Sequence, residues 1–104
     1  MARRVVWTEP GWSNLEAAAQ YIAQDSPRYS SVLVREARDA ARSLADFAKR
    51  GRVVPEIGDE SIRELFVANH RLIYQVAPDE VRVLAFIHSA RDFRGRTAPE
   101  PARS

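Results

Sequence analysis

Cysteine is absent from the 104-residue chain, which excludes disulfides, thiolate zinc sites and cysteine nucleophiles. Histidine occurs only as His70 and His88, too few for a histidine-rich metal site, and no metal or cofactor is expected. Lysine occurs only as Lys49; every other one of the 16 cationic side chains is an arginine. Net charge is scarce too, since 14 acidic side chains leave a formal balance of +2. That excess is too weak to imply nucleic-acid binding by itself. The sequence pI is nevertheless about 9.5, because arginine holds its proton to very high pH and few other groups titrate on the way there. No apolar run approaches the roughly 20 residues that a membrane span requires. The opening Met1-Ala2-Arg3-Arg4-Val5-Val6-Trp7-Thr8 has no secretory h-region, so a soluble cytoplasmic domain is expected.

What remains is an ordinary globular composition, 45% hydrophobic and 29% charged, in a chain long enough for one core and too short for two. Arg3 to Thr8 reads as a short strand on the β-formers Val5, Val6 and Trp7. Thr8 offers an N-cap hydroxyl and Pro10 is tolerated in a first helical turn, while the capping box Ser13-Asn14-Leu15-Glu16 offers a second start about one turn later. Trp12, Leu15, Ala19 and Ile22 then recur at helical spacing. Ser26-Pro27 closes this helix and opens a second, expected to run toward Arg50 with Tyr29, Leu33, Ala37, Ala40, Leu44 and Phe47 inward. Gly51 to Ser61, with its proline, glycine and acidic pair, reads as an irregular connection.

Three strands follow at Ile62–Val67, His70–Val76 and Val81–His88, with links so short that they form a β-meander. If Ala68-Asn69 is a two-residue turn, Val67 pairs with His70 and Glu64 with Ile73. Leu65, Val67, Leu72, Tyr74 and Val76 then make the core face under the helices. Ile62, Glu64, Phe66, Arg71, Ile73 and Gln75 make a mixed face where a site would open. Chain direction places the first strand antiparallel beside the last. The expected fold is α+β, in the order β-α-α-β-β-β. A helical hairpin packs on one face of an antiparallel four-stranded sheet, with one domain over residues 1–94 and a flexible tail over 95–104.

The stretch Ile62-Arg63-Glu64-Leu65-Phe66-Val67-Ala68-Asn69-His70-Arg71-Leu72-Ile73-Tyr74-Gln75-Val76 closely resembles the RelE/ParE toxin superfamily, and so does Val83-Leu84-Ala85-Phe86-Ile87-His88-Ser89-Ala90-Arg91-Asp92. The upstream Gly51-Arg52-Val53-Val54-Pro55-Glu56-Ile57-Gly58 is similar to its ParE side, the plasmid-stabilisation proteins. The resemblance spans about Val5 to Arg94 and implies a bacterial toxin of a type II toxin–antitoxin system, held inactive by a small antitoxin. ParE-like members are understood to poison DNA gyrase without hydrolysing anything, whereas RelE-like members cut mRNA on the ribosome.

Cutting RNA needs a base, an acid and positive charge near the phosphorus. The arginines of the RelE-like nucleases are matched here by Arg71 and Arg91. Their lysine positions fall on Ile62 and Glu64, and Thr97 stands about where a tyrosine would be, so that set is broken. A second nuclease branch would be matched by Glu56 as base, Arg71, and His88 as acid. The ParE-like, gyrase-binding reading is preferred, with the nuclease as alternative. Arg71 beside Glu64 reads equally well as a cross-strand ion pair. His70, beside the turn, reads as solvated. The segment Arg91-Asp92-Phe93-Arg94 is the candidate target-binding surface, since arginine and aromatic side chains dominate interface energetics; the competing reading folds Phe93 back as a core lid. Tyr21, Tyr29 and Phe47 are the candidate antitoxin contacts, at the ends of the helical stripes beside an open strand edge.

Overall fold

Thr8 and Ser26 set where the helices begin. The computed structural model describes residues 2–93; the expected tail, together with Arg94 and Thr97, lies outside the described residues. Strand β1 (Arg4–Trp7) precedes helix α1 (Glu9–Ala23), where the Thr8 hydroxyl accepts from the Gly11 N–H. Helix α2 (Pro27–Ser43) starts in the same manner, with the Ser26 hydroxyl accepting from the Tyr29 N–H at 3.0 Å. Strands β2 (Arg52–Val53), β3 (Ile62–Val67), β4 (His70–Val76) and β5 (Glu80–His88) follow.

Helix α2 stops well before Arg50. Ser43 turns its hydroxyl back to the Ala40 carbonyl, and the Ala45 carbonyl accepts the Arg3 N–H, which docks the start of β1 on the turn. The buried stripe of α2 also sits one position later than expected in places. Ser30 and Ala41 are buried in α2 and Ala48 in the turn after it, while Tyr29 and, in that turn, Phe47 are exposed. The Ser30 hydroxyl makes this possible by donating to the Ala19 carbonyl of α1 at 2.7 Å, so a polar side chain closes the helix pair.

The sheet order is β1-β5-β4-β3-β2, five strands where four were expected. Residues Arg52 and Val53, read from sequence as loop, pair antiparallel with Glu64 and Arg63. That extra pass adds one reversal to the chain. Strand β1 therefore lies parallel to β5, Arg4 beside Glu80 and Trp7 beside Val83, rather than antiparallel. The β3–β4 register is the one anticipated, Val67 against His70 and Glu64 against Ile73. Both helices cover one sheet face, where Leu15, Leu33, Ala37 and Leu44 meet Leu72, Tyr74, Val81, Val83 and Phe86.

The opposite face carries a second small core of Val54, Ile62, Ile73, Ala85, Ile87 and Phe93. The β4–β5 register shifts between Ile73 and Tyr74: Ile73 pairs with Ala85 but Tyr74 with Val83, leaving Leu84 as an extra residue. The bulge interrupts the two-residue alternation of β5. Val81 and Val83 face the helices, and beyond the bulge Phe86 does too, while Ala85 and Ile87 join the second core.

Helix α1 lies directly on the β5 backbone at Gly11. A Cβ there would sit 2.4 Å from the Val83 carbonyl oxygen, which also accepts from the Thr8 N–H and hydroxyl. Gly11→Ala should therefore lift the helix from the strand and cost about 1–3 kcal/mol, as overpacking does. Thermal unfolding should show a lower Tm at unchanged secondary structure; a Tm equal to the parent's would refute the close contact.

Candidate functional site

The face opposite the helices holds a line of alternating charges under the chain that follows β5. Arg71 of β4 donates from Nε to Glu64 Oε1 at 2.6 Å and from Nη2 and Nη1 to the two carboxylate oxygens of Glu56 at 2.7 and 2.8 Å. Arg71 Nη1 also donates to the Arg91 carbonyl at 2.7 Å. The Glu64 carboxylate is fully enclosed and takes a second guanidinium, Arg52 Nε at 2.6 Å. The Phe93 N–H completes the line by donating to Glu56 Oε2 at 3.0 Å. Two carboxylates and two guanidiniums thus balance, and the forked bonds offset the several kcal/mol that removing the buried Arg71 and Glu64 from water costs, while Arg52 stays largely exposed. The Arg71 guanidinium, helped by the Phe93 N–H, holds the Glu56 carboxyl down to about 2. Glu56 in turn raises Arg71 above the usual arginine range.

On the helix face, α1, the start of α2, the β3–β4 turn and the end of β5 enclose a cleft of about 470 Å³. Ala17, Ala18, Ile22, Leu33 and Phe86 supply its apolar wall, Tyr21 and Tyr29 stand over it, and His70, His88 and Arg91 line its polar end. His70 is not the solvated residue read from sequence. Its ring stacks on Phe86 at 4.7 Å and 2°, and its buried Nδ1 has no hydrogen-bond partner among the described residues. Burial, with the nearby His88 second, lowers its pKa. His88 accepts the Ala90 N–H on Nδ1. Among the described residues, none that lines the cleft is a carboxylate.

The nuclease candidates do not come together. Glu56 and Arg71 are tied to each other on one face, whereas His88 pairs in register with His70 on the other. Glu56 at a pKa near 2 is also a poor proton acceptor near neutral pH. Ile62 is buried in the second core and Glu64 in the ion line, so neither stands free for phosphate. Of the target-binding candidates, Phe93 is the core lid, 3% exposed in the second core; its ring is closed to a partner. Arg91 and Asp92 are exposed, and Arg91 reaches the cleft. Tyr21 and Tyr29 belong to the cleft, but Phe47, on the turn after α2, does not line it. Among the described residues, no group of three or more His, Asp or Glu side chains gathers to hold a metal ion, and no helix is long and apolar enough to cross a membrane. Sequence reasoning missed Arg52, which serves Glu64 and covers the exposed Phe66 ring at 5.1 Å. It also missed the cleft position of His70, although its alternation with Leu72 and Tyr74 signals the helix face.

Glu64→Gln should leave Arg52 and Arg71 facing a neutral amide inside the sheet and cost about 3–5 kcal/mol, read as a lower urea midpoint. His70 supplies a pH signature. Its folded pKa lies below the unfolded value of about 6.5, so the unfolded chain binds the proton first and stability falls as pH drops from about 6.5 toward the folded pKa. Its contribution is complete above that window. His70→Phe keeps the stack on Phe86 and should flatten this limb in urea titrations between about pH 7 and 5; an unchanged slope would assign the limb elsewhere.

Comparisons with known proteins bear on the family and the fold. A family described as "ParE toxin of type II toxin-antitoxin system, parDE" matches residues 5–93. A curated relative, Toxin RelE2 of Caulobacter vibrioides, is 35% identical over 89 residues, covering 85% of this chain and 97% of the relative. A solved chain from the chromosomal ParDE toxin–antitoxin system of P. aeruginosa superposes with a TM-score of 0.68 at 18% identity, over 84% of this chain and 96% of that one, a likeness of fold. The chain belongs to the ParE toxin family of type II toxin–antitoxin systems.

Proposed function

We propose that this toxin acts in the cytoplasm by binding and trapping DNA gyrase, with no hydrolytic chemistry of its own, and that its antitoxin neutralises it from the cleft. The observation that carries the first part is the division of Glu56, Arg71 and His88 between two sheet faces. General acid–base cleavage needs both proton-transfer groups within reach of one phosphodiester, and here the carboxylate is spent on a structural guanidinium. The second part rests on the cleft. Its apolar wall, flanked by Tyr21 and Tyr29, suits the apolar face of an amphipathic helix, the form in which a disordered segment commonly folds on a partner. Arg91 lies at the same place, so an antitoxin seated there covers the arginine that the gyrase surface uses. Neutralisation is then occlusion.

The deciding experiment assays the purified toxin for inhibition of gyrase supercoiling, with ribosome-programmed mRNA cleavage run in parallel. Inhibited supercoiling with intact mRNA is expected, and cleaved mRNA would establish the endoribonuclease instead. Arg91→Ala should abolish growth inhibition while leaving Tm nearly unchanged, because its side chain is exposed. Full toxicity of Arg91→Ala would remove this surface from the account.

A further inference from the structure

The segment after β5 connects the two faces of the sheet. On the ion-line face, Arg71 Nη1 holds the Arg91 carbonyl at 2.7 Å and Glu56 Oε2 holds the Phe93 N–H at 3.0 Å. The Phe93 ring is sunk in the second core. Further hydrogen bonds fix the near end: Ser89 N–H to the Asn69 carbonyl, Ala90 N–H to His88 Nδ1, and Arg91 N–H to the His88 carbonyl. The same Arg91 lines the cleft on the helix face, beside His70 and His88. The main chain of one residue is therefore gripped from one side while the residue serves a cleft on the other. Arg71 is 4% exposed, and a buried guanidinium held by two carboxylates has one geometry available to it.

We propose that the buried Glu56–Arg71 pair is a positioning clamp that presents Arg91 at the polar end of the cleft, where it receives a carboxylate carried by the docked antitoxin segment. The proposal rests on the reading that the antitoxin occupies this cleft. Charge complementarity names the carboxylate: Arg91 is the cation at the polar end and, among the described residues, no acidic side chain lines the cleft to neutralise it, so an apolar helix that brings its own acid fits both ends at once. Fixing the main chain of residues 91–93 holds the Arg91 side chain's point of attachment beside the cleft and lowers the ordering cost of binding, which is the clamp's contribution.

The test is a double-mutant cycle on the full-length toxin against its cognate antitoxin, with affinity measured at several salt concentrations. Arg91→Ala should weaken binding about 10-fold and reduce the salt dependence, Arg91→Glu should weaken it by about 100-fold, and Arg91→Lys should keep most of the affinity. Glu56→Gln should weaken binding by several-fold and speed amide exchange over residues 89–93. Its effect on affinity should vanish in the Arg91→Ala background, because a clamp acts only through the residue it holds. Additive effects, or wild-type affinity of Arg91→Glu with the cleft still protected in the complex, would overturn the clamp and leave cleft occupancy standing. A complex in which amides of α1 and the β3–β4 turn gain no protection would overturn cleft occupancy, and the clamp with it. If Glu56→Gln does not fold, Glu56→Asp, which keeps the charge but shortens its reach, takes its place in the cycle.

Discussion

Arg71 cannot be left alone where the sheet puts it. A guanidinium on a central strand, nearly closed to water, is tolerated only when its donors are met and its charge is balanced. Glu64 comes from the neighbouring strand, Glu56 from the connection between β2 and β3, and the Arg91 carbonyl from the chain beyond β5. Satisfying one side chain therefore draws three separate pieces of chain onto the same face. The connection read from sequence as irregular becomes ordered because it owes a carboxylate to that site. The Phe93 lid lands where it does because its N–H shares the Glu56 carboxylate. A face that looks from the sequence like an open site is in fact the better-locked side of the sheet.

The open cleft lies on the other side. There the helices leave uncovered the ends of β4 and β5 and the β3–β4 turn, and the cleft collects side chains from distant parts of the chain. The bulge at Leu84 decides its chemistry. By turning Phe86 and His88 toward the helices, it creates the stacked His70–Phe86 wall and parts His88 from Arg71 and Glu56. One extra residue in one strand thus separates a set of groups that a regular alternation leaves free to be grouped as acid, base and phosphate ligand. Arg91 is where the two faces meet: its backbone answers to the ion line and its side chain to the cleft. The family implies an antitoxin as partner, and the proposed seat for a folding segment of it is the cleft.

The sequence by itself determined the second helix start, through Ser26, and narrowed the first to Thr8 or Ser13, since a capping side chain acts within three residues of itself; the structure takes Thr8. The sequence also determined the β3 and β4 bounds and their register, because a two-residue turn leaves one pairing and a period of two leaves one buried face. The superfamily was legible for the same reason, resting on those contiguous stretches. Only the tertiary structure decided the parallel pairing of β1 with β5, which depends on the number of strand passes between them, and β2 is a strand only because Glu64 and Arg63 are there to pair with it. It alone decided that Tyr29 stands over a cleft while Ser30 is buried, since a hydroxyl can enter a helix interface once the Ala19 carbonyl is within reach. It alone decided that Glu56 serves Arg71 and that Phe93 is a lid rather than a binding ring. Such roles are fixed by long-range partners, and a local pattern records which side chains a segment carries but not which distant charge will need them.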